Sequence, residues 1–260
     1  MKHKLAAQLH TARHELAEDY RGGMRKLRDM GWPAVQIGGY YGHTAEQVAG
    51  YVEENGFEVA GMHVDLSRLT DDLANVLKEA RRFGTRDLVC PSVPKPMQNP
   101  QGYAELRRIL NEVARRVEPE GIRISYHNHA FEFETDVEGK PALAYIVEPS
   151  PDNRIWAEFD VYWVKKGGCD PLTFMQPYAG RIPLIHLKDM TSDDKMTFAE
   201  IGTGSIDFAP ILRWGEQSGV EWYIVEQDVC PGNALDSLQI SLRSLHKLAD
   251  GLAAAEGRSV

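Results

Sequence analysis

Eight short apolar runs, each followed by a longer stretch with helical spacing, set the tightest limit on what this chain can fold into. The runs are Lys4–His10, Ala34–Gly39, Glu58–Asp65, Asp87–Ser92, Ile122–His129, Ile155–Val161, Pro183–Lys188 and Trp222–Gln227. Between them, Leu73, Val76, Leu77, Ala80 and Phe83 recur at steps of three and four, as do Leu106, Ile109, Leu110, Val113 and Val117. That spacing puts the apolar side chains on one helix face. Leu235, Leu238, Leu242, Leu245 and Leu248 repeat the pattern after the last run. Helix stops stand where they are needed: Gly31-Trp32-Pro33, Asn55-Gly56, Phe83-Gly84, Pro119-Glu120-Gly121, Gly180 and Ser218-Gly219 each precede a run,. Such alternation predicts parallel strands joined by crossover helices.

Eight such units can close into a barrel or open into a doubly wound sheet. The open form usually carries a glycine-rich phosphate turn after its first strand, and here that turn reads His10-Thr11-Ala12-Arg13-His14. A closed (β/α)8 TIM barrel is therefore the expected α/β fold, and 260 residues suit one such domain over residues 1–260,. The chain is 43% hydrophobic and 26% charged, which excludes disordered and fibrous classes,. Its net charge of −9, with scattered basic residues, argues against a nucleic-acid partner,. Cys90, Cys169 and Cys230 form no CxxC pair, so neither a disulfide framework nor a thiolate zinc site is expected, and a cytoplasmic setting fits,. The residues after Met1 contain no signal-like apolar stretch, and no later run approaches about 18 apolar residues, so no membrane partner is expected.

In a barrel the chemistry sits at the C-terminal ends of the strands. The fifth run ends Tyr126-His127-Asn128-His129 and leads to Glu132, the sixth ends Glu158-Phe159-Asp160, the seventh His186-Leu187-Lys188-Asp189, and the eighth Glu226-Gln227-Asp228. Neighbouring strands would let Glu132, Asp160, His186 and Glu226 converge on one point. Three carboxylates and an imidazole suit a divalent ion, Mn²⁺ first, with Mg²⁺, Co²⁺ or Zn²⁺ also accommodated. An inward carboxylate in an apolar strand is costly without a cation or hydrogen bonds, which favours this reading over surface charges. Lys188 shares a strand face with His186 and is expected to contact substrate, while Asp189 points away and caps the following loop. His127 and His129 share a face; each can ligate, orient a ligand or move a proton. His63 and Asp65, with Gln8, are expected to line the opposite wall.

The order of these strand-end motifs resembles the sugar phosphate isomerase/epimerase family, the xylose isomerase-like barrels that include tagatose epimerase and inositol-catabolism isomerases. The resemblance spans nearly the whole chain. It is carried by Tyr126-His127-Asn128-His129-Ala130-Phe131-Glu132-Phe133, Phe159-Asp160-Val161-Tyr162-Trp163, Ile185-His186-Leu187-Lys188-Asp189, Ile201 to Phe208, and Val225-Glu226-Gln227-Asp228. It implies one metal ion held by Asp160, His186 and Glu226. The family's remaining glutamate lies within strand five, where this chain has His127 or His129, and its role passes to Glu132 with Glu134 in reserve. Trp163 and Ser192 stand where ketose 3-epimerases have a histidine and an arginine, and a Trp face suits a pyranose or glycoside. The implied activity is metal-dependent isomerisation or epimerisation of a small carbohydrate, a keto-sugar or oxidised glycoside. Glu132 and Glu226 would pass the proton, and His63, His127, His129, Trp163 and Lys188 would contact the substrate. Loss of a hydroxyl would make the enzyme a lyase or dehydratase. Gly202-Thr203-Gly204-Ser205 is the one candidate phosphate turn, and the resemblance leaves room for a homodimer or larger homo-oligomer.

Overall fold

The structure, a computed structural model, describes residues 1–256; residues 257–260, the end of the expected domain, lie outside the described residues. Eight parallel strands close into a barrel: β1 (Leu5–Gln8), β2 (Ala34–Ile37), β3 (Glu58–His63), β4 (Asp87–Cys90), β5 (Arg123–His127), β6 (Trp156–Asp160), β7 (Leu184–Leu187) and β8 (Trp222–Val225). Closure is decided by β1, which pairs with β2 on one side and with β8 on the other, through Leu5 opposite Tyr223 and Ala7 opposite Val225. Each strand is shorter than its apolar run. The ladder stops where the chain turns toward the loops, so His129, Lys188 and Glu226 project from just beyond the strand ends.

The helices sit where their apolar stripes place them. Helix Leu73–Phe83 buries Leu73, Val76, Ala80 and Phe83 and stops at Gly84, whose φ of 69° favours glycine,. Helix Pro100–Val117 opens on Asn99, whose side chain accepts from Gly102 N at 2.9 Å, with proline in the first turn,. The final helix, Ala234–Glu256, buries Leu235, Leu238, Leu242 and Leu245. Each fully buried leucine contributes about 1.5–3 kcal/mol.

Inside the barrel the strand period of two stacks side chains in layers. Ala6, Ala34, Ala60, Val89, Leu184 and Ile224 form a small apolar plug. Two residues further along their strands come Gln8, Gln36, His186 and Glu226, and His127 and Glu158 complete this polar layer from β5 and β6. On β3 the register slips by one residue beside Val35 and Gln36. This bulge lets both Ala60 and His63 face inward although they are three residues apart.

Candidate active site

The centre of the polar layer is Glu158, fully buried on β6. Its Oε1 lies 2.7 Å from His63 Nε2, 3.1 Å from His127 Nδ1 and 3.1 Å from His186 Nε2, and its Oε2 accepts from the Gln36 amide. Burial opposes ionisation, yet the charges of His186 and His63 and the ring hydrogen bonds hold the carboxyl well below its usual range,. Sequence reasoning placed Glu158 on the inner face but gave it no role.

A second group stands nearer the mouth. His186 Nδ1 lies 2.9 Å from Glu226 Oε2, and His127 Nε2 lies 3.9 Å from Asp160 Oδ2. One donor atom from each of His127, Asp160, His186 and Glu226 falls within 4.8 Å of all the others, and all four residues are buried. Two imidazoles and two carboxylates at that spacing can hold a divalent ion. The fit has a further sign: Asp160 Oδ2 is buried and accepts no hydrogen bond, its nearest cation being the Lys188 ammonium at 3.1 Å. Asp160 Oδ1 caps the following helix through Trp163 N at 3.1 Å, which fixes the carboxylate.

Lys188, itself 1% exposed, also lies 2.9 Å from Glu226 Oε2 and 2.8 Å from Asp228 Oδ2. Burial opposes its charge, but Asp160, Glu226 and Asp228 hold the ammonium well above the ordinary lysine range. Burial likewise opposes protonation of His186, while Glu158 and Glu226 raise it to about 10. His127 is pushed the other way, by burial first and then by the charge of His186. His129 falls to about 4 through burial and the nearby Lys188.

A cavity of about 410 Å³ opens above this group. His63, His127, His129, Lys188 and Glu226 line it, as does Asp65, while Asp160 and His186 are not in the lining and lie fully buried next to His127 and Glu226. Trp163 is not in the lining; its ring lies 5.6 Å from Lys188 Nζ and 5.4 Å from the ring of His129. His10, Arg68 and Asp228 also face the cavity and were not singled out from the sequence. For Asp228 a signal existed, since it follows Glu226 by two.

Glu132 is not brought to this group. After His127 the chain leaves the strand period and makes a 3-10 turn over Phe131–Phe133. That turn aims Glu132 at Tyr126, whose hydroxyl donates at 2.6 Å, and at His129 N, which donates at 2.9 Å. Burial lifts its pKa to about 8 against these hydrogen bonds. Glu134 is exposed, as is Ser192. In place of Glu132, the fifth strand supplies His127. Gln8 does not line the wall but lies beneath it, donating to Gln36 Oε1 at 2.6 Å. The candidate phosphate turn is occupied too: Gly202 N, Gly204 N and Ile206 N all donate to the Asp189 carboxylate, at 2.9, 3.0 and 3.0 Å. Asp189 thus ties down the loop that follows it.

The family model of the xylose isomerase-like TIM barrel matches residues 24–248. The chain belongs to that family. Within it, an inosose dehydratase from Geobacillus kaustophilus is 24% identical, with 90% of this chain and 89% of the relative aligned. An inosose dehydratase from Clostridium beijerinckii is 28% identical across 48% of this chain and 47% of the relative. The chain spans about half the length of several curated relatives that it matches. A solved sugar phosphate isomerase/epimerase from Parabacteroides distasonis superposes with a TM-score of 0.79 at 20% identity, covering 93% of this chain and 92% of that one. At that identity the likeness shows the shared barrel. Membership makes this chain an enzyme of the xylose isomerase-like superfamily, and among the described residues no helix is long and apolar enough to cross a membrane.

Proposed function

We propose that this xylose isomerase-like barrel is a divalent-metal-dependent sugar isomerase that removes the proton beside the carbonyl of a keto-sugar or oxidised glycoside. The observation that carries the reading is the buried set His127, Asp160, His186 and Glu226, of which His127 and Glu226 line an open cavity. These four residues would hold the ion, with Mn²⁺ the expected metal. When bound, the ion supplies Lewis-acid polarisation of substrate oxygens.

Glu226 is the proton acceptor in this scheme. It is ionised, because Lys188 and His186 outweigh the burial that opposes its charge, and it reaches the cavity. Lys188, 2.9 Å away, stabilises the negative charge that develops on the carbonyl oxygen,. His129, neutral above about pH 4, is available on the same cavity to relay a proton,. Base and ammonium stand side by side, so the proton returns to the face it left, on the neighbouring carbon. Same-face return gives isomerisation. Epimerisation requires a donor across the ring, and Glu132, turned toward Tyr126, does not supply it.

A second reading is elimination, which would make the enzyme a lyase or dehydratase. It uses the same base, with the Lys188 ammonium protonating the leaving oxygen, and the inosose dehydratases among the relatives favour it. Incubation with keto-sugars and oxidised glycosides in D₂O with Mn²⁺, followed by NMR, tests both readings. A deuterated isomer supports the first and an unsaturated product the second. Absence of both exchange and product across the panel would refute the proposal.

A further inference from the structure

The buried layer beneath the cavity contains a directed chain of hydrogen bonds whose sense can be worked out from one backbone group. His10 N is a donor by nature, and it donates to Gln8 Oε1 at 3.2 Å. The Gln8 amide is thereby oriented, and its Nε2 donates to Gln36 Oε1 at 2.6 Å. Gln36 Oε1 is then an acceptor, and Gln36 Nε2 donates to Glu158 Oε2,. His186 Nε2 lies 2.7 Å from Gln36 Oε1 and 3.1 Å from Glu158 Oε1. Both neighbours are acceptors, so this nitrogen must carry a proton. His127 Nδ1, 3.1 Å from the same Glu158 oxygen, must carry one as well.

We propose that Glu158 and Gln36 are positioning residues that lock the ring protons of His127 and His186 on their inner nitrogens. His127 Nε2 is thereby left with its lone pair beside Asp160, and His186 Nδ1, whose own proton Glu226 holds at 2.9 Å in the metal-free protein, is the atom that an ion would take over from that proton. The proposal deepens the metal-centre reading above and rests on it for its consequence. A histidine ligand needs a lone pair at the metal and a fixed partner on its other nitrogen. Here one carboxylate and one amide serve two rings at once. The lock also decides between two donor groups. His63, His127, Glu158 and His186 bring ligand atoms within 4.8 Å of one another as well. Their inner nitrogens are committed as donors to Glu158, so that group is a hydrogen-bonded support and the ion belongs on the outer side. Gln36 and Glu158 are 122 residues apart in sequence. Their pairing is set by barrel closure and has no local signature.

The test reads ring protons directly. Long-range ¹H–¹⁵N correlation spectra of histidine-labelled protein, recorded metal-free and with Zn²⁺ as a diamagnetic probe, should show protons on His127 Nδ1 and His186 Nε2 in both states. Glu158→Leu should scramble both assignments and weaken Zn²⁺ binding about 10–100-fold by chelator competition, and Glu158→Asp should recover part of each. Should Glu158→Leu fail to fold, Gln36→Met keeps the comparison open. It removes one of the two acceptors at His186 Nε2 and should lower the protection of that proton against solvent exchange. A proton on His127 Nε2 in the metal-free wild type, an unprotonated His186 Nε2, or Zn²⁺ affinity unchanged in a folded Glu158→Leu variant would overturn the proposal. These outcomes separate from those of the reaction. Correct ring protons without turnover would refute the isomerase reading and leave the lock standing, whereas misplaced ring protons with turnover would do the reverse.

Discussion

The two ends of the barrel carry similar charges and settle them in opposite ways. At the N-terminal end, the Arg123 guanidinium sits between Asp87 and Glu221, with N to O distances of 2.7 Å to both Asp87 oxygens and 2.7 and 2.9 Å to those of Glu221. Arg86 adds a second donor to Glu221 at 2.8 Å, and the ring of Trp156 covers Arg123 at 5.4 Å. Each of these four charges has a partner of matching shape, which is how a barrel closes its inactive end. At the C-terminal end the matching fails. Three imidazoles crowd one Glu158 oxygen, and one Lys188 ammonium is shared by Asp160, Glu226 and Asp228. Asp160 Oδ2 is left with no hydrogen bond at all. A set of buried charges that its own neighbours do not balance suits a cation and a polar substrate.

If the contrast is real, changes at the two ends should separate activity from stability. The largest effect is expected from Glu226→Gln, which should lower turnover by about two to four orders of magnitude and abolish deuterium incorporation, with the circular-dichroism spectrum unchanged. Arg123→Ala should do the converse. Glu221 keeps Arg86, but leaving the buried Asp87 without its fork should cost about 3–5 kcal/mol, read as a lower denaturant midpoint, while the KM of the folded enzyme stays as it was. Next in size is the metal. At one hundred times its Kd, Mn²⁺ should raise stability by about 2.7 kcal/mol, and the gain should vanish in Asp160→Asn and persist in a folded Arg123→Ala variant.

A last comparison separates Glu132 from Glu226. Burial raises the Glu132 carboxyl from its ordinary 4.5 to about 8. An acid whose folded pKa is raised contributes most below its unfolded value, and the contribution is lost as pH rises toward the folded one. Wild type should therefore lose stability between about pH 4.5 and pH 8 relative to Glu132→Gln, whose neutral amide does not titrate. Urea midpoints at the two ends of that window measure the difference. Turnover of Glu132→Gln should stay near that of wild type, and a loss as large as that of Glu226→Gln would restore Glu132 to the reaction.

These two glutamates also show what could be read from the chain in advance. The strands and the closed barrel followed from eight apolar runs alternating with helical stripes and from the missing glycine-rich turn, and the convergence of Asp160, His186 and Glu226 from neighbouring strand ends, where an inward carboxylate demands compensation. Glu132 lies beyond the end of β5, in a 3-10 turn where that period no longer holds, so its direction could not be counted from the strand. Glu158 lay on the right face, but its partners come from β2, β3, β5 and β7. Gln36 looked like one polar residue in an apolar run, because what it bonds is set only when the barrel closes. The bulge on β3 turns His63 inward by the same kind of tertiary fact.

The most direct test of the central claim, that the C-terminal end is built around a divalent cation, is a titration of metal-free protein with Mn²⁺. The paramagnetic resonance signal of the free ion reports what remains unbound. One ion should bind per chain in wild type and in a folded Arg123→Ala variant, and binding should be lost in Asp160→Asn and in His186→Ala. Absence of saturable binding in wild type, or equal binding in all four proteins, would contradict it.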